Sequence, residues 1–154
     1  MGLRLQLLFP QNRAEAVREL QRIGVDRAGI KLMTSKALFR VVKVSGLPSP
    51  AANILKQHML SLGGEAAVNR GVINCSVQES DVILMGTSKQ YRRLANILRA
   101  QPWGLKELAD RLVGLIDCLD AGRPTFTLRC RGKEITLGER TLVMGILNLT
   151  PDSF

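Results

Sequence analysis

The chain has 154 residues, 45% hydrophobic and 23% charged, a balance that supports a globular core and excludes fibrous and disordered classes. Its formal charge of +9 admits anionic partners, nucleic acid included, although a solvated basic surface is the first reading. Three cysteines, Cys75, Cys118 and Cys130, and one histidine, His58, have neither disulfide-framework nor zinc-site spacing and leave little room for a Ser-His-Asp triad.

Residues 1–8 do not form a signal peptide: the apolar run is short, interrupted, and followed by no small-residue cleavage site. Gln6 stands where a myristoylation signal needs Ser or Thr. No stretch approaches a membrane-spanning length, so no membrane partner is expected. A cytoplasmic protein with reduced, partly buried thiols is expected.

Leu3, Leu5, Leu7 and Phe9 alternate with Arg4 and Gln6, the pattern of a half-buried strand that Pro10 stops. Asn12 then offers an N-cap, with Glu15 placed to complete a capping box. Ala16, Val17, Leu20 and Ile23 line one face of the helix that follows, and Gly24 ends it. Residues 38–44, rich in valine, form a second strand. Ser49 and Pro50 open a helix as N-cap and first residue, with Ile54, Leu55, Met59 and Leu62 inward and Gly63 and Gly64 at its end. His58 lies on or beside that apolar face and reads as a packed side chain.

Residues 66–75 form a strand bent at Gly71, and residues 82–85 a short apolar one. A helix carrying Tyr91, Leu94, Ala95 and Leu98 follows. Gly86 to Ser88 before it could cradle an anion, but Ser88 as a plain N-cap is favoured. Lys89, Arg92, Arg93 and Arg99 make a basic face on that helix, read as solvated because no nucleic-acid-binding signature accompanies it. After Pro102 comes a last helix with the stripe Leu105, Leu108, Leu112, Leu115, Ile116 and Leu119.

The mixture predicts an α/β (α+β) chain. Residues 1–120 form a small strand–helix domain and residues 121–124 a linker of small, Gly- and Pro-containing sequence. Residues 125–137 alternate on both sides of Arg131 and Gly132, the mark of a β-hairpin. Residues 142–147 are continuously apolar, as in a strand buried on both faces, and Pro151 ends it. The polar residues beyond, Asn148, Thr150, Asp152 and Ser153, can offer oxygen ligands to a hard cation and hydroxyls to a phosphate or heterocycle, and Phe154 can wall an aromatic pocket. A capped turn with Phe154 in the core is the equal alternative on chemistry alone.

Residues 144–154, Met-Gly-Ile-Leu-Asn-Leu-Thr-Pro-Asp-Ser-Phe, resemble the first signature of the dihydropteroate synthases almost residue for residue. The hairpin is similar to the one that closes the bottom of that family's barrel. Residues 55–67 and 101–108 resemble an N-terminal extension that some bacterial members carry. The resemblance implies a TIM barrel, of which residues 125–154 are only the hairpin and first strand. It implies condensation of a pterin-CH₂-pyrophosphate with p-aminobenzoate in folate biosynthesis, assisted by Mg²⁺. Asn148 would sit at the Mg²⁺-pyrophosphate site. Thr150, Asp152, Ser153 and Phe154 would begin the substrate-binding loop, Phe154 near the p-aminobenzoate ring. No catalytic residue is assigned within the chain. A barrel needs about 250 residues, so these residues alone are expected to be inactive. A homodimer is left open and nucleic acid is not expected. The alternatives are a corrinoid-linked pterin-binding methyltransferase, and a basic non-catalytic binding or oligomerisation module.

Overall fold

The computed structural model describes residues 2–122, 125–138, 140–145 and 147. The chain is α+β and divides into two compact units, Met1–Gly122 and Arg123–Phe154.

In the first unit the elements run α1 (Arg13–Arg22), α2 (Arg27–Met33), β1 (Phe39–Pro48), α3 (Ser49–Ser61), β2 (Glu65–Val68), β3 (Glu79–Thr87), α4 (Ser88–Leu98) and α5 (Leu105–Ala121). The strands form one antiparallel sheet in the order β1-β3-β2. The stretch β1-α3-β2-β3-α4 is thus a split β-α-β arrangement in which β3 lies between the two strands joined by the α3 crossover. A full ferredoxin-like βαββαβ unit would add a fourth strand; here α4 is followed by α5 instead.

Strand alternation decides which sheet face is covered. Val82 and Leu84 of β3 and Val42 of β1 pack into one core with Leu55 and Met59 of α3, Tyr91, Leu94 and Leu98 of α4, and Leu105, Leu112 and Ile116 of α5. On the opposite face Phe39, Val41 and Ile83 stay 59%, 64% and 41% exposed. Each fully buried leucine contributes about 2 kcal/mol of transfer free energy, so this one-sided core carries most of the unit's stability.

Local chemistry explains the helix starts. Asn12 caps α1 by accepting from the Glu15 amide at 3.0 Å, and Glu15 reaches back to the Gln11 amide at 2.7 Å. Thr87, rather than Ser88, caps α4 in a capping box with Gln90. Ser49 does not cap α3: its hydroxyl donates to the Val77 carbonyl, and Pro48 precedes the helix without a side-chain cap. The short helix α2 lies in a stretch with no apolar stripe; Asp26 fixes it by accepting from the Ala28 and Gly29 amides.

Three expected elements differ. Residues 3–9 form no strand, and Leu3, Leu5 and Leu7 are 90–103% exposed. Their alternation has no sheet neighbour to bury it among the described residues. Residues 66–75 do not run as one strand: Asn69 caps a 3₁₀ turn at Arg70–Val72, which breaks the strand after Val68. β3 instead begins at Glu79, earlier than the apolar run 82–85, because Ser80 and Asp81 pair with β1 and the loops despite their polarity.

The second unit opens on the expected hairpin, β4 (Phe126–Cys130) paired with β5 (Lys133–Leu137). Arg131 (φ 46°) and Gly132 (φ 75°) form its two-residue turn, whose left-handed backbone glycine supplies without strain. Phe126, Leu128, Ile135 and Leu137 share one face, and Arg129 pairs with Glu134 at 2.7 Å on the other. The apolar strand expected at 142–147 is not formed at residues 142–145 or 147; Val143 is 93% and Met144 88% exposed. A strand of that composition needs partners on both edges, and none pairs with it among the described residues.

Candidate functional site

The sequence places the site at the end of the second unit. Asn148, Thr150, Asp152, Ser153 and Phe154 lie outside the described residues, so the expected Mg²⁺ ligand and substrate-binding residues have a sequence argument but no geometry.

In the first unit the polar side chains converge on Asp120. Its stripe, Leu105, Ala109, Leu112, Ile116 and Asp120, runs along the buried face of α5, so the carboxylate enters where an apolar residue would be expected. Oδ1 accepts from Ser88 Oγ at 2.8 Å and from Arg40 Nη2 at 3.4 Å; Oδ2 accepts both Arg92 terminal nitrogens at 3.1 Å. Arg40 also donates to the Gln11 carbonyl at 2.7 Å. Asp120 therefore joins β1, α4, α5 and the start of α1. The anion at the start of α4 is the chain's own carboxylate, which answers the cradle read from Gly86 to Ser88: it is a structural junction. Helical spacing alone could have found Asp120, four residues after Ile116, but the stripe read from its apolar members alone stops at Leu119.

Two residues of the basic row on α4, Arg92 and Arg99, are turned toward α5. Arg92 pairs with Asp117 at 2.6 Å as well as Asp120, and Arg99 with Asp110 at 3.1 Å. These are interhelical ion pairs, and they engage two of the four basic side chains.

Tyr91 is buried, and its hydroxyl lies 2.8 Å from the Leu84 carbonyl and 3.1 Å from that of Arg40. Burial pushes its pKa well above the usual phenol value. His58 is half-buried on α3 as expected. The three cysteines are free and all exposed, where partial burial was expected; Cys75 sits in a turn at φ 53° and Cys118 on the outer face of α5. Among the described residues no group of His, Cys, Asp and Glu could hold a metal ion, and no helix is long and apolar enough to cross a membrane.

No protein-family model matches the chain, and no solved structure does. Similarity to characterised sequences is nonetheless extensive. A protein of Halobacterium salinarum named "Probable bifunctional folylpolyglutamate synthase/dihydropteroate synthase" is 38% identical over 135 residues, 88% of this chain and 16% of its own length. The "Bifunctional dihydropteroate synthase/dihydropteroate reductase" of Helicobacter pylori is 33% identical over 135 residues, 88% of this chain and 31% of its own length. A Haloferax volcanii protein named like the first is 31% identical over 148 residues, 91% of this chain and 17% of its own length.

These relatives define a class of multifunctional proteins with a synthase in common. The chain is related to a segment of the dihydropteroate synthases, as the signature at residues 144–154 implied. It spans less than a third of the length of each relative. The matched 88% is far more than residues 125–154 can supply, so the first unit is itself shared with these proteins.

Proposed function

We propose that the chain is part of a dihydropteroate synthase that condenses a pterin-CH₂-pyrophosphate with p-aminobenzoate, releasing pyrophosphate. The observation that carries this is the common name. The three relatives differ in their second named activity, folylpolyglutamate synthase or dihydropteroate reductase, and share only the synthase. The sequence signature at residues 144–154 points the same way independently. Neither second activity is assigned to the first unit, because that unit is matched in relatives bearing either name.

In this reading Asn148 supplies a side-chain oxygen to Mg²⁺ at the pyrophosphate. Thr150, Asp152 and Ser153 bind substrate, and Phe154 stands near the aryl ring. Amide, carboxylate and hydroxyl oxygens are hard donors that suit Mg²⁺, and a bound Mg²⁺ would offset the charge that builds on the leaving pyrophosphate. The amine of p-aminobenzoate attacks the pterin methylene carbon as the carbon–oxygen bond to pyrophosphate breaks. Residues 125–154 are the hairpin and first strand of a TIM barrel, and the continuously apolar run 142–147 becomes a central strand once neighbours flank it. The three free thiols fit a cytoplasmic enzyme.

The test is pteroate formation by the complete reading frame, compared with its Asn148→Ala variant and with residues 1–154 alone. The complete protein is expected to be active, the variant reduced by ~100-fold as for loss of a metal-site residue, and the 154-residue chain inactive. An inactive complete protein, or pteroate made by residues 1–154, would overturn the proposal. A complete protein that methylates a corrinoid instead would install the alternative reading.

A further inference from the structure

β1 is an outer strand of its sheet: β3 pairs with one side, and no strand pairs with the other among the described residues. The Ser88 amide donates to the Leu38 carbonyl at 2.8 Å, which sets the phase of the β1–β3 ladder. Leu38, Arg40 and Val42 bond toward β3, so Phe39, Val41 and Lys43 turn their amides and carbonyls to the open edge. α5 runs along that edge in the opposite direction. Near its start, Glu107 and Leu108 share a groove of about 230 Å³ with Val44 and Leu47 of β1; at its end, Asp120 accepts from Arg40 at 3.4 Å. Leu108, Leu115 and Leu119 recur at helical spacing as an apolar row beside the buried stripe, and Leu115 and Leu119 are 42% and 40% exposed.

The end of the segment 3–9 is anchored where β1 begins and α5 ends. The Gln11 carbonyl accepts from Arg40 Nη2 at 2.7 Å, and the Gln11 amide donates to Glu15 at 2.7 Å. A Cβ on Gly122, the residue after α5, would lie 3.2 Å from the Asn12 side chain, so Asn12 packs on that helix end. Before this anchor the alternate leucines are bare: Leu3 is 103%, Leu5 102% and Leu7 90% exposed.

From that corner the segment can follow β1 in one sense only, from Phe9 back toward Leu3 as β1 runs on from Arg40, which is antiparallel. Its span of about 20 Å matches about 18 Å of helix from Leu108 to Asp120. Alternation then fixes the register, since a one-residue slip would turn every leucine to the other face. Phe9 stands opposite Arg40, Leu7 opposite Val42 and Leu5 opposite Val44, on the face that carries the α5 row. Leu8 with Val41, and Gln6 with Lys43, exchange main-chain hydrogen bonds. Pro10, opposite Phe39, has no N–H to offer and ends the ladder.

We infer that residues 3–9 close onto the β1 edge of their own chain as a fourth, antiparallel strand, turning about Phe9 and Pro10 while the Gln11–Arg40 bond holds. The anchor selects the occupant. An attached segment meets its own edge at a local concentration on the order of millimolar, whereas a second copy must be met in bulk solution. Closure covers the apolar row on α5 and removes an exposed sheet edge. The segment is a strap with two positions, and the structure shows the open one.

Two measurements on the 154-residue chain test this. With Cys75, Cys118 and Cys130 replaced by serine, Leu5→Cys with Val44→Cys is expected to oxidise to a disulfide within one chain of monomeric mass. Non-hydrogen-bonded pairs of an antiparallel ladder bring Cβ atoms closest, which suits that bond. Leu5→Cys with Ile73→Cys, the latter in the loop after β2 and 84% exposed, is expected to stay reduced. Hydrogen exchange reads the strap without cysteine chemistry. The amides of Gln6, Leu8, Val41 and Lys43 are expected to exchange roughly tenfold or more slowly than unpaired amides. Leu5→Lys with Leu7→Lys is expected to abolish that slowing and leave the β3 amides protected. A disulfide between two chains, no disulfide in the Leu5–Val44 pair, or unpaired exchange rates at those four amides would each overturn the inference.

Discussion

Replacing Asp120 by alanine removes the junction that joins β1, α4 and α5, and the cost can be assembled from its contacts. Asp120 is 7% exposed. Ser88, fully buried, loses the acceptor for its hydroxyl, which costs about 1 kcal/mol. Arg40, whose side chain is 13% exposed and whose Nε already lacks a partner, retains only the Gln11 carbonyl; a stranded guanidinium there adds about 2 kcal/mol. Arg92 is 37% exposed and keeps Asp117, so its loss is discounted to roughly 0.5 kcal/mol. The expected destabilisation is about 3.5 kcal/mol, read as a lower urea midpoint at unchanged m-value, or a fall of roughly 10 °C in Tm. A loss under about 1 kcal/mol would show that the carboxylate is only accommodated, not integral. The double variant Arg40→Met with Asp120→Leu replaces stranded charge with apolar volume. It is expected to recover most of the loss, because the ions themselves are expensive to bury.

Three further outcomes follow from the packing. Tyr91 has a folded pKa raised by burial above its unfolded value of 10.0, so the native state holds a proton that the unfolded chain releases. Stability is therefore full below pH 10 and falls as the pH rises beyond it; Tyr91→Phe is expected to cost about 1 kcal/mol at neutral pH and to flatten that alkaline fall in urea titrations. A Cβ at Gly86 would lie 2.4 Å from the Met59 Cε, and Met59 is fully buried. Gly86→Ala is expected to cost about 1–3 kcal/mol by overpacking, and Met59→Ala in the same chain to relieve part of it, which a double-mutant cycle reads directly. Deleting residues 141–154 removes Val143, Met144 and Leu147, each at least 79% exposed. Higher solubility with the unfolding transition of the first unit unchanged is expected; loss of cooperative unfolding would mean that the first unit depends on that segment.

Periodicity and caps were good guides wherever a residue acts on its own neighbours. Asn12 with Glu15, Gly63 with Gly64, and Arg131 with Gly132 set their helix starts, helix ends and turns locally, and each acts where the sequence placed it. The misreadings involve partners far along the chain. The alternation of residues 3–9 is a strand pattern, but pairing is a property of two segments, and the pattern says nothing about the second. Asp120 was hidden because a carboxylate does not count toward an apolar stripe, while its partners lie 28 to 80 residues away. The candidate site follows a different logic. Residues 144–154 are informative because their order is distinctive, and that information precedes any geometry.

The Asp120 junction also has a mechanical meaning. It lies in the last turn of α5, next to Gly122, where the first unit gives way to the second. A helix end would ordinarily fray within its final turn, and tension on the chain would peel it residue by residue. Here a pull arriving through Gly122 meets a carboxylate held by Ser88, Arg40 and Arg92, and must shear that set of bonds together before α5 unwinds. The first unit therefore hands the chain onward from an anchored point on its own core, not from a loose tail.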